Sequence, residues 1–463
     1  MAAKNVRHAA TSLPPPPPPP PPAARGPARV FYVDASAAYS DDNIPRCDPE
    51  DPDSPLAAVQ RLLAARRPGR GAAGGVVPHH STGPYAGGWF VAQALLASEH
   101  VTTDESEASI TYLDVHCYYA TAMLSRRLRP KDVKRLGFDA AEVLGSVLKA
   151  AAASSTGSKT AVFLPGPLPA RLRGKCKSEL QLNSTFVVAH SRPATCVVPS
   201  RMMLAPVPSN DGAAPAPVPA PIAGTGWSGD GASGKLYKGR KVLLTFAGEA
   251  SDAAGASAGM KLRHAAIKAL QGGRGAVGRA TCESCNGSAR LAREDLLRLY
   301  RGSKFCLVIP GDGQAGRMLT EVVLQGCIPV FVGPPFATVP LASHLDYRSF
   351  SVAISVTNTK PWAASAAARK AVLKRKAGFE VNANVETIDE VLDEIQDLTA
   401  AEISELQGAL EGARRAFMYR TRLDPGDPSA TDLIVEQIVE WADAAVVVDG
   451  GGKGKGSGRK LAL

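Results

Sequence analysis

The chain has 463 residues, 45% of them hydrophobic and 21% charged, which is enough apolar material for two globular domains of about 200 residues each. Its 53 Lys and Arg against 43 Asp and Glu give a formal net charge of +10. No basic cluster is interleaved with aromatic residues as in a nucleic-acid-binding platform, so nucleic acid is not the expected partner, and an anionic small ligand explains the charge equally well.

Three segments have compositions that do not build a hydrophobic core. Residues 1–28 contain nine consecutive prolines and are predicted to be a disordered or polyproline-like N-terminus. Residues 205–234, rich in Pro, Ala and Gly, are predicted to be a linker or a surface insertion, and residues 446–463 a disordered basic tail. What remains is an N-terminal domain at 29–204 and a C-terminal domain at 235–445.

Short apolar runs alternate with helical stretches throughout the N-terminal domain. The runs predicted to be strands lie at residues 30–33, 109–115, 161–164, 185–189 and 195–198. This alternation is typical of an α/β domain built on a parallel sheet. The chain has no run of about 18 apolar residues and no signal-peptide core, so we expect no transmembrane anchor in it.

The C-terminal domain begins with an apolar run at 241–246 and contains the clearest helical patterns. The predicted helices lie at residues 262–270, 389–419 and 431–443. Thr399 and Glu402 have the spacing of a capping box, which marks the start of a helix. The second of these stretches is therefore predicted to be two helices.

Residues 304–333 are the most informative segment of the chain. An apolar run ends at Pro310, a glycine-rich turn follows, and an amphipathic stretch at 317–325 precedes a second apolar run at 328–332. The order strand, glycine turn, helix, strand predicts one βαβ unit of a parallel sheet.

The glycine turn has three interpretations. Gly311, Gly313 and Gly316 match the dinucleotide-binding spacing, but that site also needs a carboxylate at the end of the next strand, and here only glycine and prolines follow it. A turn with purely structural duties is the second interpretation. The third is a nucleotide-sugar site, in which the backbone N–H groups, the positive helix end and Arg317 bind phosphate.

The motifs around the turn resemble a known family. They are Ser303-Lys304-Phe305-Cys306-Leu307, Pro310-Gly311-Asp312, Arg317, Glu321 and Gly326-Cys327-Ile328-Pro329-Val330. In their order and spacing they resemble the exostosin family, glycosyltransferase family 47. Similar segments at 241–248 and 340–352, and looser ones at 29–34 and 87–113, extend the resemblance over residues 29–445.

The resemblance implies both a fold and a reaction. The fold is α/β of the GT-B class, with two Rossmann-like domains facing each other across a cleft. The reaction is transfer of a sugar from a nucleoside diphosphate, UDP in particular, to a glycan or glycoprotein acceptor, with inversion. It also implies no cofactor and no metal, because a helix N-terminus and a cationic side chain neutralise the departing diphosphate.

The nucleotide-sugar site is expected to contain residues from the turn and the helix that follows it. They are Ser303, Gly311, Asp312, Gly313, Gly316, Arg317 and Glu321. Glu321 lies four residues after Arg317, on the same helix face, where its carboxylate either binds the ribose hydroxyls or forms an ordinary i,i+4 pair with Arg317. Ser303 either donates to a phosphate or caps the start of its strand.

The group that deprotonates the acceptor hydroxyl is expected on the N-terminal domain. Asp114 and His116 follow the apolar run at 109–115, where a strand ends at the cleft. They replace the Val-Pro that the family has there, which leaves the acceptor chemistry open. His190 and the pair His79 and His80 are the alternatives.

Cysteine usage suits an oxidising compartment. The eight cysteines allow disulfides in a secretory lumen. Cys306 and Cys327 lie in predicted core strands and are either simply buried or bonded to each other. Cys282 and Cys285 have no second pair with ligand spacing, so no zinc site is expected.

Location and partners follow from the resemblance. The family implies the Golgi, although the chain shows no signal or anchor segment, and it implies a homologous glycosyltransferase as a partner. The sequons at Asn183 and Asn286 permit N-glycosylation there. A second hypothesis is a catalytically inactive partner subunit that binds nucleotide sugar or glycan, which the unusual segment at 114–116 also fits.

Overall fold

The computed structural model describes most of the two predicted domains. The described residues are 29–38, 45–48, 51–65, 86–154, 159–165, 172, 185–189, 202–206, 240–250, 258–272, 278–282, 291, 293–310, 316–333, 339–356, 383–385 and 390–449. The proline run, most of the predicted linker and most of the predicted basic tail lie outside these residues, as does the strand predicted at 195–198. The tail was predicted to begin at residue 446, but the last helix continues to Asp449.

The first sheet has six parallel strands within the described residues. They are β1 (Val30–Asp34), β2 (Val101–Thr102), β3 (Ile110–Asp114), β4 (Lys159–Phe163), β5 (Phe186–Ala189) and β6 (Met202–Leu204). Their order across the sheet is β2-β1-β3-β4-β5-β6. The helices of this half are α1 (Ala35–Ala38), α2 (Pro55–Ala64), α3 (Gly87–Leu96), α4 (His116–Ser125), α5 (Pro130–Arg135) and α6 (Ala140–Ser154).

The second sheet repeats the arrangement of the first. Its six described strands, all parallel, are β7 (Val242–Gly248), β8 (Gly278–Cys282), β9 (Ser303–Val308), β10 (Ile328–Gly333), β11 (Val352–Val356) and β12 (Ala383–Val385). The order across the sheet is β12-β11-β10-β9-β7-β8. Read from the other edge, β8-β7-β9-β10-β11-β12, it matches the first sheet: the second strand in the chain lies at the edge, next to the first, and the remaining strands follow in sequence.

The helices that follow in the chain belong mostly to this second half. They are α7 (Ala258–Gly272), α8 (Arg293–Arg301), α9 (Arg317–Leu324), α10 (Tyr347–Phe350), α11 (Glu390–Gln396), α12 (Ala400–Ala413) and α13 (Ala430–Asp449). Thr399 and Glu402 form the predicted capping box at the start of α12, so the division of 389–419 into two helices is confirmed. The two parallel sheets also confirm the predicted α/β fold class with two Rossmann-like halves.

Each sheet has a topological switch point. The second strand of each lies on one side of the first, and the third lies on the other, so the connections leave β1 and β3, and likewise β7 and β9, in opposite directions. Ligands of open parallel sheets bind at the carboxyl ends of strands beside such a point. The fold therefore indicates two candidate ligand sites, one at the carboxyl ends of β1 and β3 and the other at the carboxyl ends of β7 and β9.

The C-terminal helix α13 packs on the first half of the chain. The Trp441 ring stacks on Phe186 of β5 with 5.2 Å between ring centroids, and Lys159 Nζ donates to the carbonyl of Ala442 at 3.2 Å. Just before this helix, Tyr419 contacts Phe90 of α3 at 5.6 Å between ring centroids. From the sequence, all residues from 235 to 445 were assigned to the second domain. The residues of α13 within that range instead pack on the first half of the chain.

Two disulfides cross-link the described residues, one in each half. Cys47 is bonded to Cys117 across a separation of 70 residues, and Cys306 of β9 to Cys327 across 21. The structure thus selects the bonded alternative for the second pair. The first pair attaches the segment before α2 to the first turn of α4.

We expect peptide mapping of the natively folded protein under non-reducing conditions to recover both linked pairs. Replacing both cysteines of the longer loop (Cys47→Ser, Cys117→Ser) should lower the free energy of unfolding by about 4 kcal/mol, against about 3 kcal/mol for Cys306→Ser with Cys327→Ser, because a longer closed loop restricts the unfolded chain more. Denaturant unfolding of the two double variants checks the order, and a reversed order would contradict it.

Candidate functional site

The carboxyl edge of the second sheet carries the predicted nucleotide-sugar residues. The chain leaves β9 through Ile309 and Pro310, and the turn residues Gly311, Asp312 and Gly313 lie outside the described residues. It re-enters at Gly316, the N-cap of α9, with φ −126° and ψ −168°. A glycine N-cap supplies no side-chain oxygen, so it leaves the first N–H groups of the helix to other acceptors.

Arg317 and Glu321 form an ion pair on the first turn of α9. Arg317 Nε donates to Glu321 Oε1 at 2.7 Å; the carboxylate side chain is 4% exposed and the arginine side chain 32%. A buried carboxylate needs a charged or hydrogen-bonding partner to offset its lost hydration. The pair is therefore more than a solvated surface contact: Glu321 holds the guanidinium, which remains partly exposed to an incoming anion.

Ser303 lies away from this edge. It is the first residue of β9, is fully buried, and its hydroxyl donates to the carbonyl of Leu299 at 2.8 Å. At about 3.3 Å per residue, the length of β9 puts it roughly 15–20 Å from the carboxyl end of the strand. The structure does not bring Ser303 together with Arg317, and we leave it out of the site.

Arg263 of α7 joins the two strands beside the switch point, and the sequence analysis missed it. Its Nε and Nη2 donate to the carbonyl of Ile309 at 3.0 and 2.8 Å, and its Nη1 donates to the carbonyl of Glu249 at 3.2 Å. Its guanidinium also lies 6.0 Å from the ring centroid of Phe246. Arg263 thus fixes the ends of β7 and β9 where the glycine turn begins.

A second cluster occupies the corresponding edge of the first sheet. Asp114 ends β3 and pairs in register with Asp34, which ends β1. Asp114 Oδ1 accepts from His116 Nδ1 at 2.5 Å and from the His116 backbone N–H at 3.0 Å. Asp114 Oδ2 accepts from the Tyr32 hydroxyl at 2.6 Å. The two residues predicted for acceptor chemistry are therefore bonded to each other at the switch point.

Burial and charge act in opposite directions on this cluster. Burial alone would raise the pKa of Asp114, but the charge of His116 and the hydrogen bonds from His116 and Tyr32 outweigh it and lower that pKa. Burial alone would lower the pKa of His116, but the charge and hydrogen bond of Asp114, with a smaller contribution from Asp34, raise it. The pair favours a carboxylate beside an imidazole that binds its proton more tightly than a free histidine.

Helix α3 presses against His116 from the other side. A Cβ added at Gly88 would lie 3.2 Å from the Cβ of His116 and 3.5 Å from the Cβ of Phe163. Only a glycine lets the helix approach this closely without displacing the histidine. The alternative bases His79, His80 and His190 lie outside the described residues.

Neither a metal cluster nor a membrane-spanning helix is found in the described part of the chain. No group of three or more His, Cys, Asp or Glu there is placed to hold a metal ion. None of its helices combines the length and apolar character needed to cross a bilayer.

Comparison with known families gives a match in the middle of the chain. Residues 205–366 match the Exostosin GT47 domain, a range that includes the β7 strand end, Arg263, Arg317 and Glu321. This match confirms the resemblance to the exostosin family.

Curated relatives from Arabidopsis thaliana match over short segments. A probable xyloglucan galactosyltransferase, GT14, is 37% identical over 70 residues, 15% of this chain and 13% of the relative. A second, GT20, is 38% identical over 82 residues, 17% of this chain and 14% of the relative. Xyloglucan-specific galacturonosyltransferase 1 is 36% identical over 69 residues, 14% of this chain and 10% of the relative. The matched segments thus span a small part of each relative.

Among solved structures, the chain is similar to that of WaaG, a glycosyltransferase involved in lipopolysaccharide biosynthesis. The alignment covers 80% of this chain and 97% of the other, with 11% identity and a TM-score of 0.30.

We expect Asp114→Asn to lower the pKa of His116. The substitution removes the negative charge that raises this pKa and leaves the burial that lowers it. NMR titration of the protein with ¹³C-labelled histidine checks this, and His116→Gln assigns the resonance among the eight histidines. Arg129→Gln, at an exposed arginine paired with Asp132, is the control, and an unchanged His116 pKa in Asp114→Asn would refute the pairing.

Proposed function

We propose that this chain, with its exostosin GT47 domain at residues 205–366, is a glycosyltransferase. It moves a sugar from a nucleoside diphosphate, UDP in particular, to a hydroxyl group of a glycan or glycoprotein, with inversion at the anomeric carbon. The observation that carries the proposal is the buried Glu321 holding a partly exposed Arg317 at the start of the helix that follows the glycine turn.

The second sheet binds the donor in this proposal. Arg317 and the first N–H groups of α9 contact the diphosphate, whose negative charge grows as the bond to the sugar breaks. Arg263 maintains the spacing between the carboxyl ends of β7 and β9. Glu321 orients Arg317, so the cation does not need to reorganise as the leaving group departs.

The first sheet activates the acceptor. His116 takes the proton of the acceptor hydroxyl at Nε2 while its oxygen attacks the anomeric carbon, and the electrons of the breaking bond go to the diphosphate oxygen. Asp114, bonded to Nδ1, orients the ring and stabilises the imidazolium that forms. The products are the glycoside and the nucleoside diphosphate, and the proton leaves on His116.

The xyloglucan-directed names of the Arabidopsis relatives support a polysaccharide acceptor. The disulfides in the described residues support an oxidising lumen such as the Golgi. The competing function is that of an inactive partner subunit, which binds the donor and does not turn it over.

We expect Arg317→Ala to weaken UDP binding about 10- to 100-fold, because a charge-assisted contact to phosphate contributes roughly 1.5–3 kcal/mol. Glu321→Gln keeps the shape of the buried side chain and should weaken UDP binding less, by releasing the guanidinium from its fixed position. Isothermal titration with UDP measures both.

Arg298→Ala is the matched control for UDP binding. Arg298 is an arginine of α8 whose side chain is 68% exposed and paired with Asp295 at 2.9 Å, and it lies toward the amino end of β9. Equal affinity in all four proteins would remove Arg317 and Glu321 from the donor site.

We expect His116→Gln to reduce turnover of a UDP-sugar with acceptor by about 10²- to 10⁴-fold, the usual contribution of a general base. UDP affinity should stay at the wild-type value. In the wild type, kcat/KM should rise with pH through a pKa above that of free histidine, because the base is active only after His116 loses its proton. Wild-type turnover with an unchanged rate in His116→Gln would reject the base, and UDP binding without turnover would favour the inactive subunit.

A further inference from the structure

Tyr32 lies in the middle of β1, directly opposite Tyr112 of β3 in the strand register. The two rings stack with 6.2 Å between centroids and 19° between planes. Although the rings are neighbours, their hydroxyl groups differ: only that of Tyr32 donates to the Asp114 carboxylate, at 2.6 Å. The Tyr112 hydroxyl is buried and has no hydrogen-bond partner among the described residues.

The Tyr32 bond completes the coordination of Asp114. One carboxylate oxygen accepts from the ring and the backbone of His116, and the other accepts from Tyr32. Bonds to both oxygens fix the rotation of the carboxylate, and with it the direction from which Oδ1 meets His116 Nδ1. A carboxylate that is 5% exposed has little water to replace a lost donor.

The Tyr32 hydroxyl keeps its proton throughout the working range of pH. Burial, followed by the charge of Asp114, raises the pKa of Tyr32 far above its ordinary value. The hydroxyl is therefore a constant donor, which withdraws part of the Asp114 charge from His116.

Two acidic groups raise the pKa of His116 against the burial that lowers it. Asp114 on β3 contributes the larger part and Asp34 on β1 the smaller. On the side of α3, Gly88 lies close to the Cβ of His116 and has no titratable group. Of these two charges, that of Asp114 therefore has the larger effect on how tightly His116 holds its proton.

We propose that Tyr32 is a positioning residue for acceptor activation: its hydroxyl fixes the orientation of the Asp114 carboxylate and limits how strongly Asp114 makes His116 bind a proton. It acts through Asp114 and touches no substrate. The inference rests on the proposed function for its effect on turnover, whereas its effect on His116 can be measured without any substrate.

The test compares Tyr32→Phe with Tyr112→Phe, which removes the stacked neighbour's hydroxyl. Without its Tyr32 donor, Asp114 concentrates its charge on His116, so the His116 pKa measured by ¹³C NMR should rise by about half a pKa unit or more in Tyr32→Phe. Tyr112→Phe should leave it unchanged. A second cycle repeats Tyr32→Phe in the Asp114→Asn background, where it should have no further effect on His116.

Turnover supplies the second readout. In Tyr32→Phe the acid limb of the kcat/KM profile should move to higher pH by the same amount, kcat should fall about tenfold at neutral pH, and the KM for the UDP-sugar should stay at the wild-type value. Three results would overturn the proposal. The first is an unchanged His116 pKa in folded Tyr32→Phe, and the second is an equal rise of that pKa in Tyr112→Phe. The third is that Tyr32→Phe changes the His116 pKa as much in the Asp114→Asn background as in the wild type. If the wild type shows no turnover, the proposed function fails, and the NMR cycle still decides whether Tyr32 controls His116.

Discussion

The crossover at the third strand of each sheet is the constraint on which the candidate site depends. Because β2 lies on one side of β1 and β3 on the other, the connections after β1 and β3 diverge, and ligands of open parallel sheets bind at the strand ends beside such a point. The same holds for β7 and β9. Arg263, Arg317 and Glu321 lie beside one opening, and Tyr32, Asp114 and His116 beside the other, so two sites follow from one connectivity used twice.

Both openings contain the same physical device, a buried carboxylate that holds a basic side chain. Glu321 is 3% exposed and Asp114 6%, and an isolated charge at such depth would cost several kcal/mol. Each carboxylate is therefore stabilised by hydrogen bonds from its neighbours. Glu321 accepts from Arg317, and Asp114 accepts from His116 and Tyr32. These hydrogen bonds restrict the rotation of the Arg317 side chain and of the His116 ring. In the proposed reaction, the fixed arginine favours binding of a diphosphate and the fixed ring favours removal of a proton.

The sequence predicted contacts between residues that are close in the chain and missed contacts between residues that are far apart in it. The unit β9–α9–β10 and the pair Arg317 and Glu321 on α9 were predicted from local periodicity. Asp114 and His116 were located because polar residues after an apolar run mark a strand end. Ser303 precedes its apolar run, and in a parallel sheet that places it at the amino end of β9, away from the ligand edge. Arg263 and Tyr32 act on partners 46 and 82 residues away, contacts that depend on helix packing and strand register and that no local pattern encodes.

The C-terminal helix joins the two halves of the chain. The chain passes from the first half to the second after Pro206 and returns before α13, and the Tyr419 hydroxyl donates to the Pro206 carbonyl at 2.7 Å, which ties the two crossings together. Beyond this point the half-buried Trp441 ring stacks on Phe186 of β5, and full burial of a ring such as that of Phe186 contributes about 1.5–3 kcal/mol relative to exposure. Because α13 is continuous with the second half of the chain and packed on the first, and because one hydrophobic cluster includes residues of both sheets, the relative placement of the two sheets is stabilised by the protein itself. In the proposed reaction, donor and acceptor would therefore meet Arg317 and His116 on supports that are already joined, and their binding energy would remain for the chemistry instead of for assembling the two halves.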